Sequence, residues 1–255
     1  MRIALGVEYH GGGFCGWQIQ DGVRTVQECL EQALARVADE PVRAICAGRT
    51  DTGVHAFCQV VHFDTSAQRE LRAWVFGTNA HLPRDVVVRW AHGVDDGFHA
   101  RFSARSRHYR YVIFDSPVRP ALEAGRVAWS YRPLDEARMA TAATDLLGEH
   151  DFSSFRSYAC QAKHPLRTIH RLDVRRQGDL VLIDVVANGF LHHMVRNIAG
   201  VLMDIGNGRR PVDWAKAVLD ERDRVRGGVT APPDGLYFIG VEYPAEYGLP
   251  GERKE

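Results

Sequence analysis

The chain has 255 residues, 45% hydrophobic and 25% charged, and its 32 basic and 32 acidic side chains give a formal net charge of zero. That length suits one large domain or two of about 100–150 residues each, and the composition is that of an ordinary globular protein. No stretch approaches the roughly 20 apolar residues that span a bilayer, and residues 1–8 alternate apolar and polar side chains instead of forming a signal-peptide core, so a cytoplasmic location is expected.

Ile3, Leu5, Val7 and Tyr9 alternate, which predicts a half-buried strand. A glycine-rich loop over 11–17 follows, then a helix over 25–39. Thr25 and Glu28 there have capping-box spacing, Val26, Leu30, Leu34 and Val37 share one face, and Pro41 lies beyond the end. A short strand over 42–47, a loop over 48–56, a strand over 59–63, a helix over 67–78 and a strand opening at Val86 complete the first half. The second half repeats the order. It has a strand over 109–114, with Tyr109, Tyr111 and Ile113 on one face, and a helix over 134–147. Strands over 168–175 and 180–186 pair as a hairpin, with Gln177, Gly178 and Asp179 at the turn. A helix over 191–205, an extra helix near 212–219 and a closing strand over 236–242 follow.

Each half therefore reads β-α-β-β-α-β. The predicted fold class is α+β, with two ferredoxin-like halves, antiparallel or mixed sheets, helices on one face and a cleft between the halves. The expected divisions are an N-terminal half over 1–104, a C-terminal half over 105–245 that carries basic strips, and a polar tail over 246–255.

The five cysteines, Cys15, Cys29, Cys46, Cys58 and Cys160, form no C-x-x-C pair, so buried reduced thiols are expected in place of disulfides or a zinc site. Gly11, Gly13 and Gly16 fit G-x-G-x-x-G. A dinucleotide site needs a helix to begin at once, whereas six residues, from Trp17 to Gly22, intervene and no acidic residue ends the second strand. A flexible loop carrying Trp17 and two glutamines is the better reading, and no cofactor is expected. His192 and His193 are adjacent, and on a helix they point about 100° apart. With no H-E-x-x-H and no Cys/His cluster, no metal is expected either.

The balanced charge hides local excesses. Arg101, Arg105, Arg107, Arg110, Arg119, Arg126 and Arg132 face only Asp115 and Glu123 in their stretch. Arg156, Lys163, Arg167, Arg171, Arg175 and Arg176 face only Asp173. Such strips suit phosphates, although solvated strand faces have the same composition.

The segment from Ala47 to Ala56 is longer than a plain hairpin needs. Arg49 and Asp51, two apart, project the same way on extended backbone. Locally, a structural turn with Asp51 bonded to a backbone amide and a catalytic loop are both open.

The stretch Gly48-Arg49-Thr50-Asp51-Thr52-Gly53-Val54-His55 closely resembles the active-site signature of the tRNA pseudouridine synthase A family. Other family motifs follow the same order along nearly the whole chain. They are Gly16-Trp17-Gln18, Phe98-His99-Ala100-Arg101-Phe102-Ser103-Ala104, Tyr109-Arg110-Tyr111, Asp151-Phe152-Ser153-Ser154-Phe155-Arg156 and His192-His193-Met194-Val195-Arg196-Asn197-Ile198. The resemblance implies a cofactor-free isomerase that converts uridine to pseudouridine at the 3′ side of the tRNA anticodon stem-loop, working as a homodimer with no membrane partner. It implies Asp51 as the catalytic carboxylate, Arg196 as its basic partner and Tyr109 in contact with the base. Arg49 is a further candidate for substrate binding. Ile19, where the family often has a base, and Thr52, where alanine is common, depart from the pattern. The alternatives are a non-catalytic RNA-binding protein of the same fold and a carboxylate-dependent glycosidase, which usually needs two acidic residues.

Overall fold

A computed structural model describes residues 1–250. The chain divides into two units, Met1–Arg107 together with the residues from Phe238 on, and His108–Tyr237. The polar tail expected over 246–255 lies outside the described residues from 251 onward. Among the described residues no helix is long and apolar enough to cross a membrane.

The first unit contains β1 (Arg2–Tyr9), α1 (Val26–Ala38), β2 (Ile45–Cys46), β3 (His55–Asp64), α2 (Leu71–His81) and β4 (Val86–Val94). The chain's last strand, β10 (Leu236–Glu242), belongs to this unit from Phe238 on. The strand order is β4-β1-β3-β10, with β2 also on β3. β1 is antiparallel to both neighbours, with Leu5 opposite Val61 and Ala91. β1 is not the half-buried strand its alternation predicts: from Ile3 to Val7 it is buried on both faces. Ala4 and Gly6 supply small residues on the second face, and the Trp90 ring packs against Gly6.

α1 follows its apolar stripe, burying Val26, Leu30 and Leu34, and Thr25 is its N-cap without a side-chain capping bond. α2 begins four residues later than the predicted Ala67. The Glu40 carboxylate accepts bonds from the Thr65 hydroxyl (2.5 Å), the Ser66 amide (2.8 Å) and the Ser66 hydroxyl (2.5 Å). Thr65 Oγ1 in turn accepts from the Ala67 amide at 3.1 Å. Local side-chain bonds of this kind compete with helix formation. They also hold the Glu40 carboxyl at about 2, below the usual carboxylate range.

The second unit contains β5 (Ser106–Asp115) from His108 on, β6 (Ala128–Ser130), α3 (Glu136–Thr144), β7 (Gly148–Asp151), β8 (Leu166–Gln177), β9 (Leu180–Ala187), α4 (Met194–Gly206) and α5 (Trp214–Glu221). Its strand order is β5-β9-β8-β7, and β6 runs parallel to β5. The β8–β9 hairpin turns at Gly178 and Asp179, with Gln177 opposite Leu180. Val174 and Arg176 share the face towards α3, where Arg176 reaches Glu136 and the Leu134 carbonyl. Successive strand residues alternate faces, so Asp173, Arg175 and Asp184 lie on the other.

α4 buries Val195, Ile198, Leu202 and Ile205 as the sequence predicts, and most of its remaining surface too. It starts at Met194, three residues later than expected. His193, with φ 64°, is its N-cap in the left-handed region. Gly200 lies against the Val229 carbonyl so closely that no side chain fits.

Candidate active site

The loop from Gly48 to Val54 joins β2 to β3 and is fixed from three directions. Gln59 of β3 accepts from the Gly48 amide at 3.4 Å and donates to its carbonyl at 2.6 Å. The Tyr9 hydroxyl and Thr50 Oγ1 are bonded at 2.7 Å in the interior. Burial pushes the Tyr9 phenol well above its usual range, against the bonds from Thr50 and Gln59. The third brace is the glycine-rich segment. Trp17 donates its amide to the Thr50 carbonyl at 3.0 Å, and the Gly53 amide donates to the Phe14 carbonyl at 3.3 Å.

Those contacts correct the reading of residues 11–17 as a flexible loop. Trp17 is only 1% exposed and Phe14 is buried. Gly16, at φ 83°, sits where a Cβ would come within 2.8 Å of the Thr50 carbonyl oxygen. Both the backbone conformation and the close approach require glycine there. Thr50 is buried, Arg49 is exposed and Asp51 is half-buried. The Asp51 carbonyl accepts from the Val54 amide at 3.1 Å, and Gly53 turns the chain at φ 82°.

Tyr109 and Arg196 lie in the second unit. Tyr109 is on β5, 8% exposed, with its ring edge-on to Phe190 at 5.0 Å. Arg196 is in the first turn of α4. Its Nε donates to the Ala231 carbonyl at 2.8 Å, and its own carbonyl accepts from the Ala231 amide at 3.1 Å. Neighbouring Tyr111 donates its hydroxyl to the Pro232 carbonyl at 2.8 Å. Burial raises the Tyr111 phenol far above its usual range, and the Arg196 charge pulls the other way. Asn197 is fully buried, donating to the Phe155 carbonyl at 2.6 Å and accepting from Thr230 and Arg224. His192 and His193 precede the helix, and their ring centroids are 4.0 Å apart. The helical argument for their divergence therefore does not hold.

Several arginines of the two basic strips have structural bonds. Arg107 donates to the carbonyls of Ala47 and Arg101, and Arg167 to those of His164 and Leu166. Asp184 gathers His108 Nε2 at 2.9 Å, Arg110 Nε at 2.8 Å and Arg175 Nη1 at 3.4 Å. Burial opposes the charge on Asp184, but the bonds from His108 and Arg110 hold its carboxyl below the usual range. All five cysteines are free; only Cys46 is buried, and the others are partly exposed.

Sequence reading did not single out Tyr9, Gly16, Gln59 or Asp184 as parts of this framework. Each acts through a partner distant in the chain. For Gly16 a signal was present, in its place within a recurring Gly-Trp-Gln motif.

A family model described as tRNA pseudouridine synthase matches residues 6–103 and 142–244. Among curated relatives, tRNA pseudouridine synthase A of Pseudomonas aeruginosa is 59% identical over 98% of this chain and 88% of its own. The proteins of the same name from Nitrosococcus oceani and Methylococcus capsulatus are 60% and 56% identical, again over 98% of this chain, and over 96% and 92% of their own. The crystal structure of a Cbf5-Nop10-Gar1 complex aligns at a TM-score of 0.35 and 10% identity, covering 92% of this chain and 57% of that one, too distant to inform the fold. With the matched segments spanning most of its length, the chain belongs to the tRNA pseudouridine synthase family.

Proposed function

We propose that this protein is an isomerase that converts uridine to pseudouridine in tRNA, at the 3′ side of the anticodon stem-loop, with Asp51 as its catalytic carboxylate. The observation that carries the assignment of Asp51 is its setting. It is a half-buried acid on a loop pinned at Gly48, Thr50 and Gly53, within a chain 59% identical to a tRNA pseudouridine synthase A.

The reaction breaks the bond from ribose C1′ to uracil N1, turns the base and joins C1′ to C5. The C5 proton leaves to solvent and N1 gains one. Nothing is oxidised or reduced, so no electron carrier is required. A carboxylate serves either by attacking C1′ or by promoting elimination to a glycal-like intermediate. Arg196 supplies the positive charge that the reaction needs near its acid; a guanidinium suits this because it does not lose its proton. The target base must leave its stack to be reached, at a cost of about a few kcal/mol. Tyr109 offers an aromatic face for it, already steadied by Phe190, and base stacking on such rings returns about 1–3 kcal/mol. Arg49, exposed beside the acid, is the candidate contact to RNA backbone. Two chains acting as a cytoplasmic homodimer would let basic strips from both flank one RNA, and sedimentation at the mass of two chains tests that part.

Loss of the C5 hydrogen gives a direct assay. tRNA labelled with tritium at uridine C5 should release it to water with the wild-type protein and at less than about a thousandth of that rate with Asp51→Asn. A similar rate from both would contradict the role of Asp51, and free uracil among the products would indicate a glycosidase.

A further inference from the structure

Phe102 is 75% exposed, yet the turn that carries it is fixed amide by amide. The His99 amide donates to Ser103 Oγ at 2.9 Å, and the Ala100 amide to Nδ1 of buried His62 at 3.1 Å. The amides of Arg101 and Phe102 both donate to His99 Nδ1 at 3.2 Å. The Ser103 amide closes the turn on the His99 carbonyl at 2.9 Å. The Phe102 ring stacks on the His99 imidazole, 4.3 Å between centroids and 29° between planes. That imidazole rests in turn on His62 at 4.8 Å. The guanidinium of Arg101 is 5.6 Å from the Phe102 ring centre, within range of a cation–π contact.

The turn is also tied to the loop bearing Asp51. One nitrogen of Arg107 donates both to the Arg101 carbonyl, at 2.5 Å, and to the carbonyl of Ala47, next to Gly48, at 3.2 Å. Arg49 and Arg101 act on the same thiol: burial pushes Cys46 up to about 12, and both guanidiniums oppose the shift.

Resting on the function proposed above, we infer that Phe102 and Arg101 form a stacking step for an unpaired nucleobase next to the target uridine. Phe102 takes the π-face of the base and Arg101 its phosphate. Turning the target uracil out of its stack leaves a neighbouring base with one bare face, and a rigid exposed ring beside the acid loop meets that need without further ordering. An RNA fits better than an apolar protein surface, because Arg101 and Arg105 flank Phe102 in the chain and suit a phosphate backbone.

The test uses an anticodon stem-loop RNA with 2-aminopurine beside the target uridine, on either side in turn, together with tritium release from labelled tRNA. Binding of the wild-type protein should quench the probe on one side. Phe102→Ala should lose that quench and weaken RNA binding about 5- to 150-fold, with an unchanged melting temperature because the ring is exposed. Phe102→Trp should restore both, and Arg101→Ala should lower the salt slope of binding by about one. Phe102→Ala that binds and quenches like wild type overturns the stacking step, as does one that alters only the sedimentation of the protein. A wild-type protein that releases no tritium overturns the underlying function instead.

Discussion

The hydroxyl bond between Tyr9 and Thr50 holds the residue immediately before Asp51, so it links strand packing to the geometry of the acid. Tyr9→Phe would leave the buried Thr50 hydroxyl without its partner. Such a loss costs about 1–3 kcal/mol, to be read from urea unfolding, and turnover should fall with it as the loop loosens. His62 gives a pH-dependent counterpart. Its Nδ1 accepts the Ala100 amide and must stay unprotonated, while burial first, and then the charges of His99 and Arg2, lower it to about 4. An unfolded histidine titrates near 6.5, so between those values the unfolded chain binds a proton that the native chain refuses. Stability should therefore fall as pH drops from about 6.5 to about 4 and be flat above. His62→Gln keeps an acceptor without a titrating group, so its melting curves should lose this fall; an identical fall in both proteins would contradict the assignment. At this scale the loop bearing Asp51 is legible as a short motif, whereas its brace at Tyr9 is not, because the partner is 41 residues away.

Among the elements, α1 and α4 were legible from their apolar spacing, and β5 from the alternation of Tyr109, Tyr111 and Ile113. The late start of α2 was not, since Glu40 intercepts residues 65–67 from outside the segment. β6 and β7 escaped notice because three and four residues are too few to show a period. The α4 start is not legible because a left-handed histidine, not one of the usual capping residues, precedes it. The face of the second unit's sheet away from α3 owes its order to Asp184, which joins β5, β8 and β9 through His108, Arg110 and Arg175. Asp184→Asn would remove the negative charge that these bases share. Breaking a buried pair in this way costs about 3 kcal/mol or more. A chemical-denaturation midpoint within error of wild type would show that the cluster contributes little.

At the scale of the whole molecule, the net charge is zero while the arginines are spread unevenly along the chain. Counting charges along the sequence revealed the strips but overstated them, because Arg107, Arg167 and Arg176 have structural bonds that a count does not register. The β-α-β-β-α-β order of the first unit is readable from its hydrophobic periods, and the second follows it with β6, β7 and α5 added; that the closing strand falls from Phe238 on in the first unit is not readable, since sequence order does not fix which neighbours a strand chooses. The most direct measurement incubates an unmodified tRNA transcript with the wild-type protein or with Asp51→Asn and maps pseudouridine at each position. Pseudouridine is expected on the 3′ side of the anticodon stem-loop with wild type and none with Asp51→Asn, both proteins melting at the same temperature. Equal modification by the two, or none by the wild type, would contradict it.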